Sequence, residues 1–360
     1  MRLHRTPSFA LAATLALGLA GAVLVAPAGA GAPAKKPGGP TTGSASVFMV
    51  NPVQSSGNQM LNDQKDVAAA VLPSDYATVP LRNLDGSGYL RGQWARVESA
   101  TGRPAYSTTG EYFYNRQQDQ FEQVMGYFWV NQAQEYLQSL GFGVPRSGLK
   151  GIVDEPFSVK INQYGGDNSY QTDKPYRIRL GKGGVDDAED AEVIVHEYGH
   201  AVHADQVPGY GSSLDAGSIG EAFGDYLAVT VGLDAADDYD WPVSAEEACP
   251  MDWDSTSYTA APHCIRRFDR NLTVESRRSQ VHYDGQIWSQ ALWEIRQDYV
   301  ALGESTEAWD TTLIASQFNY APDTSFGAAA EATYDLAMTR DGAAAAERVK
   351  ARFAARGITF

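Results

Sequence analysis

His196-Glu197-Tyr198-Gly199-His200 sets two of the chain's six histidines four residues apart, with a carboxylate beside the first. On a helix that spacing puts both imidazoles on one face, one turn apart. Both can then reach a single divalent ion at roughly 2.0–2.1 Å. Glu197 would lie next to that ion, where it could take a proton from a bound water. Two nitrogen ligands leave zinc under-coordinated, so a third ligand must come from elsewhere. His203 is a poor choice. It lies seven residues after His196, a rise of about 10.5 Å, too far for the two to share an ion. It reads as a nearby, buried or substrate-side histidine. Glu221, in Gly217-Ser218-Ile219-Gly220-Glu221-Ala222-Phe223-Gly224-Asp225, is the better candidate. The 21 residues between His200 and Glu221 (221 − 200) allow a loop and a return on a second helix. Asp225 follows four residues later on the same face and could fix the tautomer of a ligand histidine. Three protein ligands leave a fourth position for water, the arrangement of a catalytic rather than a structural zinc.

The elements around this motif follow from the periodicity. From Val47 to about Ala105 short strands alternate with turns such as Asp85-Gly86-Ser87-Gly88. Apolar spacing predicts a helix over 118–140 that Gly141 stops. Residues 157–162 and 175–180 alternate like strands. The second, with Arg177 and Arg179 on one face, reads as a half-exposed edge to which an extended substrate could pair. Asp186, Asp187, Glu189 and Asp190 open the metal-binding helix, which runs to about Ala204, and a second helix covers about 218–231. Helices are then expected near 284–302, 307–319, 327–339 and 343–355, the last capped by Asp341 and ended before Gly357. This gives an α+β chain with a β-containing N-terminal half, residues 46–205, and a helical C-terminal half, residues 206–360.

The pairing of HEYGH with GEAFGDYLA resembles the gluzincin clan of thermolysin-like peptidases, and more closely the fungalysin-type secreted metallopeptidases. The segments Phe121–Phe128, Ala133–Phe142, Gly183–Asp190 and Val281–Trp293 add to the likeness, which covers about residues 46–356. The resemblance implies a zincin-like two-lobed fold and an endopeptidase. It implies zinc on His196, His200 and Glu221, Glu197 as base, and Asp225 behind a ligand. It also places a transition-state hydrogen-bond donor near His282, with Tyr210, or less favourably Tyr283, as an assisting tyrosine. The aminopeptidase signature GxMEN is absent, which argues against an aminopeptidase.

Composition narrows the partners. With 28 basic and 44 acidic residues the formal charge is −16, which repels nucleic-acid phosphates and anionic lipid. Peptide or protein is the expected substrate. Arg2, His4 and Arg5 precede an apolar stretch from Phe9 to Ala26, and Ala28-Gly29-Ala30 fits a cleavage site, so residues 1–30 read as a secretory signal. A secreted protein with no membrane contact after cleavage is expected. Residues 31–45, rich in Gly, Pro and Ala, read as a flexible linker. Two cysteines, Cys249 and Cys264, favour one disulfide in an exported chain over two free thiols. Structural calcium is a further expectation. Asp234, Asp237, Asp238 and Asp240 are the best local candidates, although they lack EF-hand spacing and a solvated loop is the plainer reading. Two other functions fit parts of the pattern: a catalytically silent zinc-binding relative acting as an extracellular binding protein, or a zinc amidohydrolase on a non-protein amide. Intact ligands and an intact base favour the peptidase.

Overall fold

The computed structural model describes residues 38–98, 102–243 and 248–360. The expected signal at 1–30 lies outside them. Part of the expected linker is ordered structure: β1 (Gly43–Phe48) begins inside it. Small residues there let β1 pair along its length with β2 (Tyr76–Leu81), from Gly43 opposite Leu81 to Phe48 opposite Tyr76. A sheet partner fixes what composition alone makes flexible. The parallel strand β4 (Glu111–Tyr112) completes this three-stranded sheet in the order β2-β1-β4. In the 85–88 turn, Asp85 Oδ1 accepts a bond from the Ser87 amide at 2.7 Å, and Gly86 and Gly88 take positive φ.

A second sheet orders β3 (Ala95–Val97), β5 (Phe157–Lys160), β7 (Arg177–Arg179) and β6 (Tyr170–Thr172) as β3-β5-β7-β6. This corrects the edge-strand expectation for 175–180. β7 lies inside the sheet, parallel to β5 and antiparallel to β6. Arg179 is accordingly buried rather than solvent-facing. The outer strand is β6, whose polar sequence gave no strand signal.

A short helix, α1 (Pro52–Ser56), follows β1. Helix α2 (Asp119–Ser139) runs as expected, and Gly141 beyond it takes φ +100°. It is buried on nearly every side, with Phe121, Trp129 and Leu137 fully enclosed. Helix α3 (Ala191–Gln206) carries HEYGH. Its cap is Asp190, whose side chain accepts from the Glu192 amide at 3.0 Å. The acids expected to open the helix instead form a separate 3-10 turn over Asp187–Glu189.

Helix α4 (Leu214–Asp238) is capped by Ser213 and longer than expected at both ends. Acidic residues in a last turn oppose the helix dipole, yet Ala235 and Ala236 are buried and extend its packed face. Asp234, Asp237 and Asp238 therefore belong to a helix, and they form no metal-sized group among the described residues. The C-terminal helices are α5 (Val281–Leu302), α6 (Thr306–Ser316), α7 (Phe326–Arg340) and α8 (Ala343–Ala355). Asp341 does not cap α8. It accepts hydrogen bonds from Tyr299 at 2.7 Å and Thr312 at 2.6 Å, tying α5 and α6 to the α7–α8 corner. Among the described residues no helix is long and apolar enough to cross a membrane.

Candidate metal and catalytic site

Two glycines bring α4 against α3. A Cβ placed at Gly199 would sit 2.9 Å from the Gly224 Cα, and one at Gly224 would sit 2.6 Å from His196 Nδ1. Only bare backbone allows the two helices to meet and the His196 ring to fit between them. The consequence is a three-residue cluster. His196 and His200 present their Nε2 atoms 3.1 Å apart with rings almost perpendicular, and Glu221 from α4 closes the group. Glu221 Oε2 lies 3.4 Å from His196 Nε2, and Oε1 lies 3.7 Å from His200 Nε2. Atoms each about 2.0–2.2 Å from one ion are separated by up to about 4.2 Å, so these donors can share a zinc. Asp225, one turn on, places Oδ1 2.9 Å from His196 Nδ1.

The electrostatics match a site built for a cation. Burial disfavours charge on His196, but Asp225 and Glu221 outweigh it and push the imidazole up to about 10. Burial also opposes ionisation of Glu221, yet contact with His196 and the nearby His200 holds its carboxyl well below the usual range. Burial lowers His200 to about 4, leaving it a neutral ligand. Glu197 lies on the wall of the same cavity, of about 410 Å³. It is buried, its Oε2 has no hydrogen-bond partner, and burial pushes it up to about 7. A carboxylate poised near neutrality can accept and return a proton.

Residues 174–320 match the fungalysin metallopeptidase (M36) family. The chain is fungalysin-like. The extracellular metalloproteinase 1 of Phaeosphaeria nodorum is 26% identical over 200 residues, or 47% of this chain. This chain spans only 30% of that relative's length. The precursor of protealysin, a metalloproteinase from Serratia proteamaculans, superposes with a TM-score of 0.50 at 17% identity, over 73% of this chain and 87% of that one. That likeness shows the two-lobed α+β metallopeptidase fold.

Around this fungalysin-like cluster the structure sorts the remaining candidates. His282, at the start of α5, places Nε2 3.3 Å from Glu221 Oε2 and is half exposed in the cavity wall. Tyr210 lines the cavity, and its hydroxyl is buried and has no hydrogen-bond partner. Packing against His203, at 4.3 Å between rings, holds it in that position. His203 is itself sandwiched between Tyr210 and Phe223, and burial lowers it to about 3. Tyr283 does not line the cavity. Its ring is covered by Arg278 at 3.9 Å and Arg270 at 5.8 Å.

Two residues that the sequence reading passed over serve this site. Arg266 grips both oxygens of Asp225 through Nε and Nη2 in the buried wall. Burial opposes the Asp225 charge, but the guanidinium overcomes it and holds the acid ionised behind His196. Gln280 caps α5: its Oε1 accepts from the Tyr283 amide at 2.5 Å. That fixes the amide orientation, so Nε2 donates to His282 Nδ1 at 2.7 Å. An accepting Nδ1 puts the His282 proton on Nε2, toward the cluster. Neither residue has a spacing signal. Arg266 follows the Cys249–Cys264 disulfide, whose Cα atoms are 5.3 Å apart, and that bridge brings its segment beside α4.

Proposed function

We propose that the chain is a secreted zinc-dependent endopeptidase that cleaves peptide bonds in proteins outside the cell. The observation that carries this is the convergence of His196, His200 and Glu221 on one point in the cavity wall that also holds Glu197. Zinc held there would supply a Lewis acid that polarises the scissile carbonyl and acidifies water. Glu197 accepts the proton of the attacking water and returns it to the leaving amine. His282 donates its Nε2–H to the oxygen on which charge develops. Arg266 and Asp225 hold the His196 ring in orientation and supply negative charge behind it. The two histidines come from 46–205 and the carboxylate from 206–360, so a boundary near residue 205 runs through the site.

The unpaired side of β6 offers a place for an extended substrate, since Tyr170 and Gln171 line the cavity. The signal-like N-terminus and the extracellular relative support secretion.

The test is casein cleavage with and without a zinc chelator, together with zinc content, for the natural chain and Glu197→Gln. Cleavage should stop with the chelator. Glu197→Gln should keep stoichiometric zinc while turnover falls by at least about 10³-fold. A Glu197→Gln chain that cleaves like its parent removes the assigned base. A zinc-loaded natural chain that cuts no member of a peptide library removes the peptidase reading.

A further inference from the structure

A second oxygen-donor group, made of other residues, lines the same cavity. Asp167, Asp187 and Asp254 each bring one carboxylate oxygen within 4.8 Å of the other two. Asp187 belongs to the 3-10 turn just before α3, and Asp254 begins the turn that follows Met251–Trp253. Asp167 sits in the loop between β5 and β6. Three carboxylates this close repel one another, so something must offset them. Among the described residues no Lys, Arg or His side chain lies within ion-pair distance of any of the three.

Two of the three are buried and incompletely hydrogen-bonded. Asp187 and Asp254 are 2% and 4% exposed, and Oδ1 of each has no hydrogen-bond partner. Their other oxygens are held: Asp187 Oδ2 accepts from Ser169, and Asp254 Oδ2 accepts from Tyr258 at 2.6 Å. Burial raises the affinity of both acids for a proton, with Ser169 opposing at Asp187 and Asp187 adding to the effect at Asp254. A Cβ at Gly184 would sit 2.5 Å from Asp167 Oδ2, so a glycine keeps the cradle open. Calcium binds oxygen at about 2.3–2.6 Å, so oxygens touching one ion are up to about 5.2 Å apart. The absence of nitrogen or sulfur donors in the group favours a hard cation over zinc.

We propose that Asp167, Asp187 and Asp254 bind one calcium ion, which ties the β5–β6 loop and the 254–257 turn to the N-terminal end of the metal-binding helix. The site stands apart from the peptidase reading, because its ligands are not those of the zinc cluster and its readout is binding and stability.

The experiment uses the full zinc-loaded chain carrying Glu197→Gln, which prevents self-cleavage. Terbium, excited through nearby tyrosines, reports binding, and calcium competes with it. One terbium per chain is expected, displaced by calcium, with zinc content unchanged. Millimolar calcium should raise the melting temperature by roughly 2–5 °C. Asp187→Asn and Asp254→Asn keep acceptors for Ser169 and Tyr258 but remove a ligand charge. Each should weaken calcium binding about tenfold or more.

The same variants should melt at or above the parent in calcium-free buffer and below it in calcium. A merely structural role gives no such crossover. Asp167→Asn, at an exposed position, gives the binding result if a buried variant fails to fold. Absence of any calcium-dependent shift, or equal binding by all variants, overturns the assignment. So does a peptide-library preference for Arg or Lys, read on chains that keep Glu197, that Asp167→Asn abolishes without a calcium effect, which would give this acidic wall to a substrate side chain.

Discussion

Replacing Gly224 by alanine should cost the protein its metal while leaving most of its fold. The new Cβ would lie 2.6 Å from Nδ1, 2.9 Å from Cε1 and 3.0 Å from Cγ of His196. An ordinary contact is about 3.5 Å or more, so the ring must retreat by about 0.9 Å. Metal–ligand distances tolerate only about 0.2 Å. Helix α3 cannot recoil freely, because Tyr198 beside Gly199 is buried and hydrogen-bonded to Gln134 of α2. A misplaced ligand of this kind should lower zinc affinity at least about 10–100-fold. Stability is a closer contest. Alanine gains up to about 1 kcal/mol of helix propensity over glycine, while overpacking costs about 1–3 kcal/mol. A net loss between zero and about 2 kcal/mol is expected.

Gly220, one turn earlier on α4, supplies the control. A Cβ there meets Tyr210 at 3.7 Å, His200 at 3.8 Å and His203 at 3.9 Å, all ordinary contacts. Gly220→Ala should therefore hold zinc and melt at or above the parent temperature. Zinc per chain, after equilibration against a zinc buffer, and thermal melts by circular dichroism read both variants. Zinc affinity of Gly224→Ala within about threefold of the parent would refute the packing argument, and so would equal zinc loss in both variants.

Other outcomes follow from the same geometry. Arg266→Met strands the buried Asp225 charge, at a cost of about 3–5 kcal/mol, and should weaken zinc binding; urea melts within 1 kcal/mol of the parent would contradict that. Gln280→Ala frees the His282 tautomer, so kcat should fall roughly tenfold with KM unchanged, less than the 10²–10³-fold expected of His282→Ala; a change in KM alone would remove the tautomer role. Burial pushes Asp310 up to about 6, with Arg296 opposing and hydrogen bonds from Tyr136 and Tyr226. Its unfolded value is near 3.9. Because the folded value is raised, its contribution is largest below about pH 4 and shrinks by roughly 3 kcal/mol as pH rises to about 6. The stability difference between the parent and Asp310→Asn should change by that amount between pH 4 and pH 7; parallel urea-derived curves would count against it.

HEYGH was legible because a helix converts a four-residue spacing into proximity, and that conversion needs no tertiary information. Glu221 and Asp225 were legible because they share a face four residues apart on the next helix. The long buried helices were legible from their apolar period. Strand β6 was not, since Tyr170-Gln171-Thr172 has no alternation and is a strand only because β7 lies beside it. That pairing also turned the expected edge at 175–180 into an interior strand.

Arg266, Gln280 and the Asp167–Asp187–Asp254 group share one reason for staying hidden. Each acts on a residue or partner that other segments deliver. Residues 167, 187 and 254 carry no common period. The sequence determined which side chains could take a metal and which helices would present them. The tertiary structure decided how closely α3 and α4 approach, which guanidinium backs Asp225, and where buried carboxylates gather. Contacts across long loops depend on backbone packing, and spacing along a chain does not encode it.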